Sequence, residues 1–295
     1  MNLDEKQSKA NSHQLEKSAK EHYIDLLKKS LCGAVYDQPP MPIELFWAGR
    51  GWVKRGLIPV LNTLFGALGM KICFPVQHSR ESIELGRIWP VQACSMIGLK
   101  RMDNLAACVE TVLRENVPGD LIETGVWRGG ACILMKGVLS VNGVCDRKVF
   151  VADSFRGLPE PNAAAYPADA GDRHHRFSSY LGVSRDKVEE NFKRFDLLDS
   201  QVVFLEGWFK DTLPHLPSQQ LAVLRLDGDM YESTMDALRH LYPKLSPGGF
   251  CIIDDYHLEG CRRAVDDYRK ENGIAEPMQD IDGFGGLWKK GGTTA

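Results

Sequence analysis

Apolar positions along this chain change their period several times, and each change marks a new element. From Met1 to about Lys20 the residues are mostly Lys, Glu, Ser, Gln and Asn, so a disordered or frayed tail is expected. Tyr23, Ile24, Leu26, Leu27, Leu31 and Val35 then fall at helical spacing, an amphipathic helix ended by Pro39, Pro40 and Pro42. Residues 45–76 carry Phe46, Trp47, Trp52, Leu57, Leu61, Leu64, Phe65 and Leu68 beside Arg50, Lys54, Arg55 and Lys71. Glycines interrupt this stretch too often for a membrane span. A lid or subunit contact is favoured over a helix lying on a membrane surface. A helical region is expected over 87–115, opened by Trp89-Pro90, with Leu105, Cys108, Val109 and Val112 on one face.

Past Glu115 the pattern shortens. Apolar runs at 121–123, 148–152, 201–205, 221–226 and 250–253 are each bounded by turn residues or acids, and helix-forming stretches lie between them, including one over 188–197. Residues 278–290 read as a closing hairpin around Asp282-Gly283-Phe284-Gly285-Gly286. Strands alternating with helices and finished by an antiparallel pair predict an α/β fold, a Rossmann-like, seven-stranded, mostly parallel sheet. The expected division is a tail over 1–20, an N-terminal helical extension over 21–115 that includes an apolar insert at 45–76, and the main α/β domain over 116–295.

The first of these strands leads into Glu123-Thr124-Gly125-Val126-Trp127-Arg128-Gly129, an acid followed by a glycine turn and a helix start. Gly125 and Gly129 permit positive φ and close approach of a ligand to the backbone. The spacing differs from a dinucleotide fingerprint, and an acid before the turn suits an amine-bearing or cationic ligand better than a pyrophosphate. S-adenosylmethionine (SAM), with its amino group and sulfonium, fits. Asp153, at the end of the second strand, is placed to accept ribose hydroxyls, with helix capping as the alternative. Trp208 and Phe209 either wall an adenine pocket or belong to the core. Residues 154–180 read as a long loop over the substrate.

The later strands deliver Asp227 and Asp229, then Asp254 and Asp255, to the same rim. Crowded carboxylates repel, and an oxygen-only set bridged by Mg²⁺ is the economical explanation, with Asp227, Asp254 and Asp255 as ligands and solvated acids capping loops as the alternative. Such an ion would activate a bound hydroxyl. The seven-stranded, mostly parallel sheet closed by an antiparallel pair is the architecture expected of a class I SAM-dependent methyltransferase.

Composition narrows the partners. With 295 residues, 43% of them hydrophobic, the chain can bury a large core, and its net charge of −3 leaves no footprint for nucleic acid. Eight cysteines without a Cys-x-x-Cys pair, and no visible signal peptide, point to reduced thiols in the cytoplasm.

Several long motifs resemble the macrocin and mycinamicin (TylF-type) sugar O-methyltransferases. They are Met96-Ile97-Gly98, Arg101-Met102-Asp103-Asn104-Leu105, the stretch from Pro118 to Gly130, Ala152-Asp153-Ser154-Phe155-Arg156-Gly157-Leu158-Pro159, Gly207-Trp208-Phe209, the stretch from Asp227 to Thr234, and Ile253-Asp254-Asp255-Tyr256. The resemblance implies Mg²⁺-dependent methyl transfer from SAM to a hydroxyl of a deoxysugar on a glycosylated natural product. It places Glu123 and Gly125 at the methionine moiety, with Met96, Ile97 and Gly98 closing over it and Thr124 and Gly129 as further cofactor-binding residues. Asp153 would take the ribose, with Ser154 and Trp208 also beside the cofactor. Asp227 would serve as cofactor contact, metal ligand and general base, with His257 as the alternative base. Residues 45–76 look longer than the family's usual N-terminal region. A homo-oligomer is expected. The competing readings are a catechol-type methyltransferase acting on an aromatic diol, and a noncatalytic SAM-binding scaffold.

Overall fold

Leu121, Ile122, Val149, Val151, Leu224 and Ile253 are completely buried, so their strands need helices on both faces. The structure, a computed structural model, describes residues 17–37, 39–42, 60–75 and 78–292. Before the sheet come α1 (Ala19–Leu31), a two-residue ribbon of β1 (Met41–Pro42) and β2 (Cys73–Phe74), α2 (Arg80–Glu84) and α3 (Gly98–Arg114). Then follow β3 (Asp120–Thr124), α4 (Gly130–Val141), β4 (Val149–Asp153), α5 (Ser178–Leu181), α6 (Arg185–Arg194) and β5 (Val202–Glu206). The chain closes with α7 (Phe209–Thr212), β6 (Leu221–Leu226), α8 (Tyr231–Leu241), β7 (Leu245–Ile253), α9 (Glu259–Glu271), β8 (Gln279–Asp280) and β9 (Gly286–Lys289).

The seven-stranded sheet has the order β5-β4-β3-β6-β7-β9-β8. The five strands from β5 to β7 run parallel, and β9 and β8 add antiparallel, the expected Rossmann-like pattern. One core packs α1, α3, α4 and α6 on the sheet through Leu31, Met102, Leu105, Val109, Leu134 and Phe192. The other packs α8 and α9 through Met235, Leu238, Leu241, Val265 and Tyr268. The strand order reverses between β3 and β6, which opens a crevice at their carboxyl ends.

Several boundaries move from expectation. Helix α1 starts at Ala19 because Ser18 and Glu21 form a reciprocal capping box, and it ends at Leu31, leaving Val35 exposed. The expected helix over 87–115 forms only from Gly98, since the carbonyls of Pro90, Val91 and Ala93 bond to Arg128 instead of to a helical turn. The helix expected at 188–197 is α6, shifted toward its Ser184 cap. The long loop over 154–180 holds short helical turns at Pro167–Asp169 and His174–Phe177 and the start of α5. Residues 1–16 of the tail, and 45–59 and 76 of the apolar stretch, lie outside the described residues. Residues 60–66 are helical, with Val60, Leu64 and Leu68 exposed around them. Among the described residues no helix is long and apolar enough to cross a membrane.

Candidate active site

Backbone geometry shapes the end of β3. Gly125 has φ +81°, and a Cβ there would overlap the carbonyl oxygen of Asp227, so the turns after β3 and β6 approach as closely as glycine alone allows. Gly129 caps α4 in the left-handed region at φ +83°. Glu123, just before the turn, is 2% exposed and accepts hydrogen bonds from Arg225 and, at 2.9 Å, from the Cys132 thiol. Burial pushes the Glu123 carboxyl up, and the Arg225 guanidinium opposes that shift. At the end of β4, Asp153 accepts the backbone N–H groups of Val126 and Phe155, each at 2.7 Å. It therefore does cap a turn, and its remaining lone pairs stay available to a ligand.

Charge shapes the ends of β6 and β7. Arg225 is completely enclosed in the middle of the sheet, opposite Glu123 on one side and Ile252 on the other. From there it pairs with Glu123, with Asp227 at 2.9 Å and with Asp254. Asp254 is gripped a second time by Arg101 of α3 at 2.5 Å. Burial alone would raise the Asp254 carboxyl, but the two guanidiniums outweigh it and hold the group below the usual carboxylate range.

Asp227 and Asp255 go the other way. Burial and their carboxylate neighbours push both well above the ordinary range. Asp229, held in the left-handed region at φ 57°, is pushed up to about 8 by burial and by Asp227. Ligand oxygens of Asp227, Asp254 and Asp255 lie within 4.8 Å of one another, and Asp255 Oδ2 is buried with no hydrogen-bond partner. A divalent cation fits that donor set: hard oxygen ligands, excess negative charge and an orphaned buried oxygen.

Both halves face one cavity of about 480 Å³. Of the residues singled out from sequence, Met96, Ile97, Glu123, Gly125, Asp153, Ser154, Trp208, Asp227, Asp254, Asp255 and His257 line it. Gly98, Thr124 and Gly129 do not, and they act on the walls instead. Gly98 packs on the Gly86 backbone, Thr124 is fully buried with its carbonyl accepting from the Asp227 N–H, and Gly129 packs on Val188. His257 stands edge-on to Phe284 at 4.5 Å, and burial with the nearby Arg101 charge lowers its pKa, favouring the neutral ring.

Sequence reasoning gave no part in the site to Arg101, Arg225, Trp89 or Asp169. Arg225 had a signal, a lone charge inside Leu221-Ala222-Val223-Leu224-Arg225-Leu226, which only a buried ion partner tolerates. Asp169 had none. It accepts the Tyr231 and Glu232 N–H groups at 2.6 and 3.1 Å and so caps α8 from a distant loop.

The family model for macrocin-O-methyltransferase (TylF) matches residues 20–290. Demethyldecarbamoylnovobiocin O-methyltransferase of Streptomyces niveus is 54% identical over 91% of this chain and 93% of its own length. An 8-demethyl-8-(2,3-dimethoxy-alpha-L-rhamnosyl)-tetracenomycin-C 4'-O-methyltransferase of Streptomyces olivaceus is 47% identical over 92% and 93%. The structure of the O-methyltransferase NovP superposes with a TM-score of 0.79 at 45% identity, covering 92% of this chain and 100% of that one. Residues 45–76 lie between the ends of the span that the family model matches. The noncatalytic scaffold reading is set aside by the same matches. The chain belongs to the macrocin-O-methyltransferase family, and it is a SAM-dependent O-methyltransferase.

Proposed function

We propose that this enzyme methylates a hydroxyl of a sugar unit, typically a deoxysugar, on a glycosylated small molecule, with Mg²⁺ held by Asp227, Asp254 and Asp255. The observation that carries the reading is the convergence of these three carboxylates on the cavity that Glu123 and Asp153 also line. Bound there, SAM would supply the electrophilic methyl group, and the ion would make a coordinated hydroxyl more acidic. Relatives named for methylating a rhamnosyl tetracenomycin and mycinamicin III support a sugar acceptor over a catechol.

The chain's own residues divide the work. Glu123 and Gly125 receive the methionine end of the cofactor, and Asp153 with Ser154 the ribose. Met96 and Ile97 close over it, and Trp208 stands at the adenine end. Asp227 takes the proton of the acceptor hydroxyl. Its carboxyl is the one of the trio that is partly exposed to the cavity, and Arg225 holds its other edge. His257 is the second candidate for that role, because its neutral ring lines the same cavity. Arg101 and Arg225 keep Asp254 charged and oriented.

All eight cysteines are free, which supports placement in the cytoplasm. The exposed Val60, Leu64 and Leu68 support a homo-oligomeric contact. Calorimetric titration of SAM and of Mg²⁺, followed by turnover assays on glycosides and on catechols, tests the assignment. SAM binding with turnover restricted to catechols would reject the acceptor class, and Mg²⁺-independent turnover would reject the ion.

A further inference from the structure

Arg128 sits in the glycine turn, yet it does not point at the cavity. One of its terminal nitrogens, Nη1, faces three main-chain carbonyls of the segment that crosses in front of α4: Pro90 at 3.3 Å, Val91 at 2.9 Å and Ala93 at 2.8 Å. Its guanidinium lies over the Trp127 ring at 4.1 Å. Burial lowers its pKa, and the groups around it that bear on its charge are Tyr180, Cys94 and Tyr36, none of them a carboxylate. A half-buried arginine served by carbonyls and ring faces alone is costly unless those contacts are needed.

Two further bonds tie the same place together. The Tyr180 hydroxyl donates to the Pro90 carbonyl at 2.7 Å, and Trp127 Nε1 donates to the Tyr180 carbonyl at 3.1 Å. Trp89 stacks on the Tyr180 ring at 4.8 Å. The Gly130 N–H, at the start of α4, reaches the Cys94 carbonyl at 3.1 Å. Three chain segments that are far apart in sequence therefore meet on one guanidinium and one phenol. They are the segment before α3, the glycine turn, and the connection after β4. The first and last of these also supply cavity walls through Trp89, Met96, Ile97, Leu158 and Leu181.

We propose that Arg128 is a positioning residue: it fastens residues 90–94 across the glycine turn and, through Tyr180, joins them to the connection after β4, so that both walls hold SAM as one unit. The inference rests on the assignment of this cavity to SAM. It adds that retention of the cofactor depends on a side chain that does not touch it.

The test compares the wild type with Arg128→Met, Arg128→Lys and Tyr180→Phe. Each is titrated with SAM, assayed for kcat and KM, and followed by amide hydrogen exchange in residues 86–98. Removing charge-assisted bonds to the carbonyls is expected to raise the SAM Kd and KM about tenfold or more in Arg128→Met, with kcat changed about twofold or less. Exchange in 86–98 should accelerate. Tyr180→Phe should move the same readings in the same direction by a smaller factor. Lysine should recover only part, because a point charge cannot serve three carbonyls. Unchanged SAM affinity together with native exchange in both Arg128→Met and Tyr180→Phe overturns the proposal. If Arg128→Met does not fold, Tyr180→Phe, which loses a single hydroxyl, decides by the same criteria. A wild type that fails to bind SAM rejects the cofactor assignment instead, while exchange in 86–98 still reports whether Arg128 holds the segment.

Discussion

The two halves of the crevice are built by different physics. At β3 and β4 the shape comes from the backbone: a glycine pressed against the Asp227 carbonyl, a left-handed cap at Gly129, and an aspartate satisfied by two N–H groups. At β6 and β7 the shape comes from charge, with carboxylates held together by Arg225 and Arg101 and one buried oxygen left over. In the first half Glu123 and Asp153 each have hydrogen-bond donors, while the buried Thr124 hydroxyl is left without a partner. The second is balanced only in part, and the proposed cation would lower its energy. Variants in the charged half should therefore respond to divalent ions, and variants in the backbone half should not.

The largest effect is expected from Arg225→Met. It strands buried carboxylates without their counter-ion, a loss of about 3–5 kcal/mol in unfolding free energy. Urea denaturation measures it, and saturating Mg²⁺ should return part of the loss. A variant as stable as the wild type would show that the acids, not the arginine, carry the charge balance. Next comes Asp227→Asn, which removes the proposed base and weakens the ion site. Turnover should drop about 10²–10⁴-fold while the SAM Kd stays within a few fold. If SAM affinity fell in step with turnover, the two halves would not be separable.

A third effect, gradual and not set off by a substitution, is in pH. Asp229 is pushed up to about 8 in the folded protein, while an unfolded aspartate titrates near 3.9. The folded form therefore holds its proton longer, so this group's stabilisation is full below about pH 4 and is lost as pH rises to about 8. The melting temperature of chelator-treated protein should decline across that window, and Mg²⁺ should restore it at the alkaline end. A flat profile would contradict the charge picture. The smallest change is Asp169→Ala, which removes the cap on α8 and should cost about 1 kcal/mol, unaffected by added ion.

How much of this was readable in the sequence follows the same division. The strands, their order of appearance and the acids at their ends show in the hydrophobic period, because burial on both sides of a parallel sheet leaves an unmistakable apolar run. The glycine turn was legible for the same reason, since only Gly125 tolerates its surroundings. The arginines were not legible as site residues. Arg101 lies on the helix named only for its apolar face, and its partners Asp254 and Asp282 are distant in the chain. The segment before α3 was misread as helix because its carbonyls are claimed by a side chain 35 to 38 residues further on, which no local pattern records.

Asp169 has a consequence for re-engineering. By anchoring to the start of α8, it splits the connection after β4 into two shorter spans with independent ends. A transplant from a relative confined to residues 170–176 would leave the anchor in place and exchange only the tip that carries His174. A transplant that also replaced Asp169 would shift the start of α8, where Glu232 and Ser233 face the cavity, and would alter both walls at once. Chimeras built with the splice point on either side of this residue should therefore differ in kind, the first changing acceptor preference and the second disturbing catalysis as well.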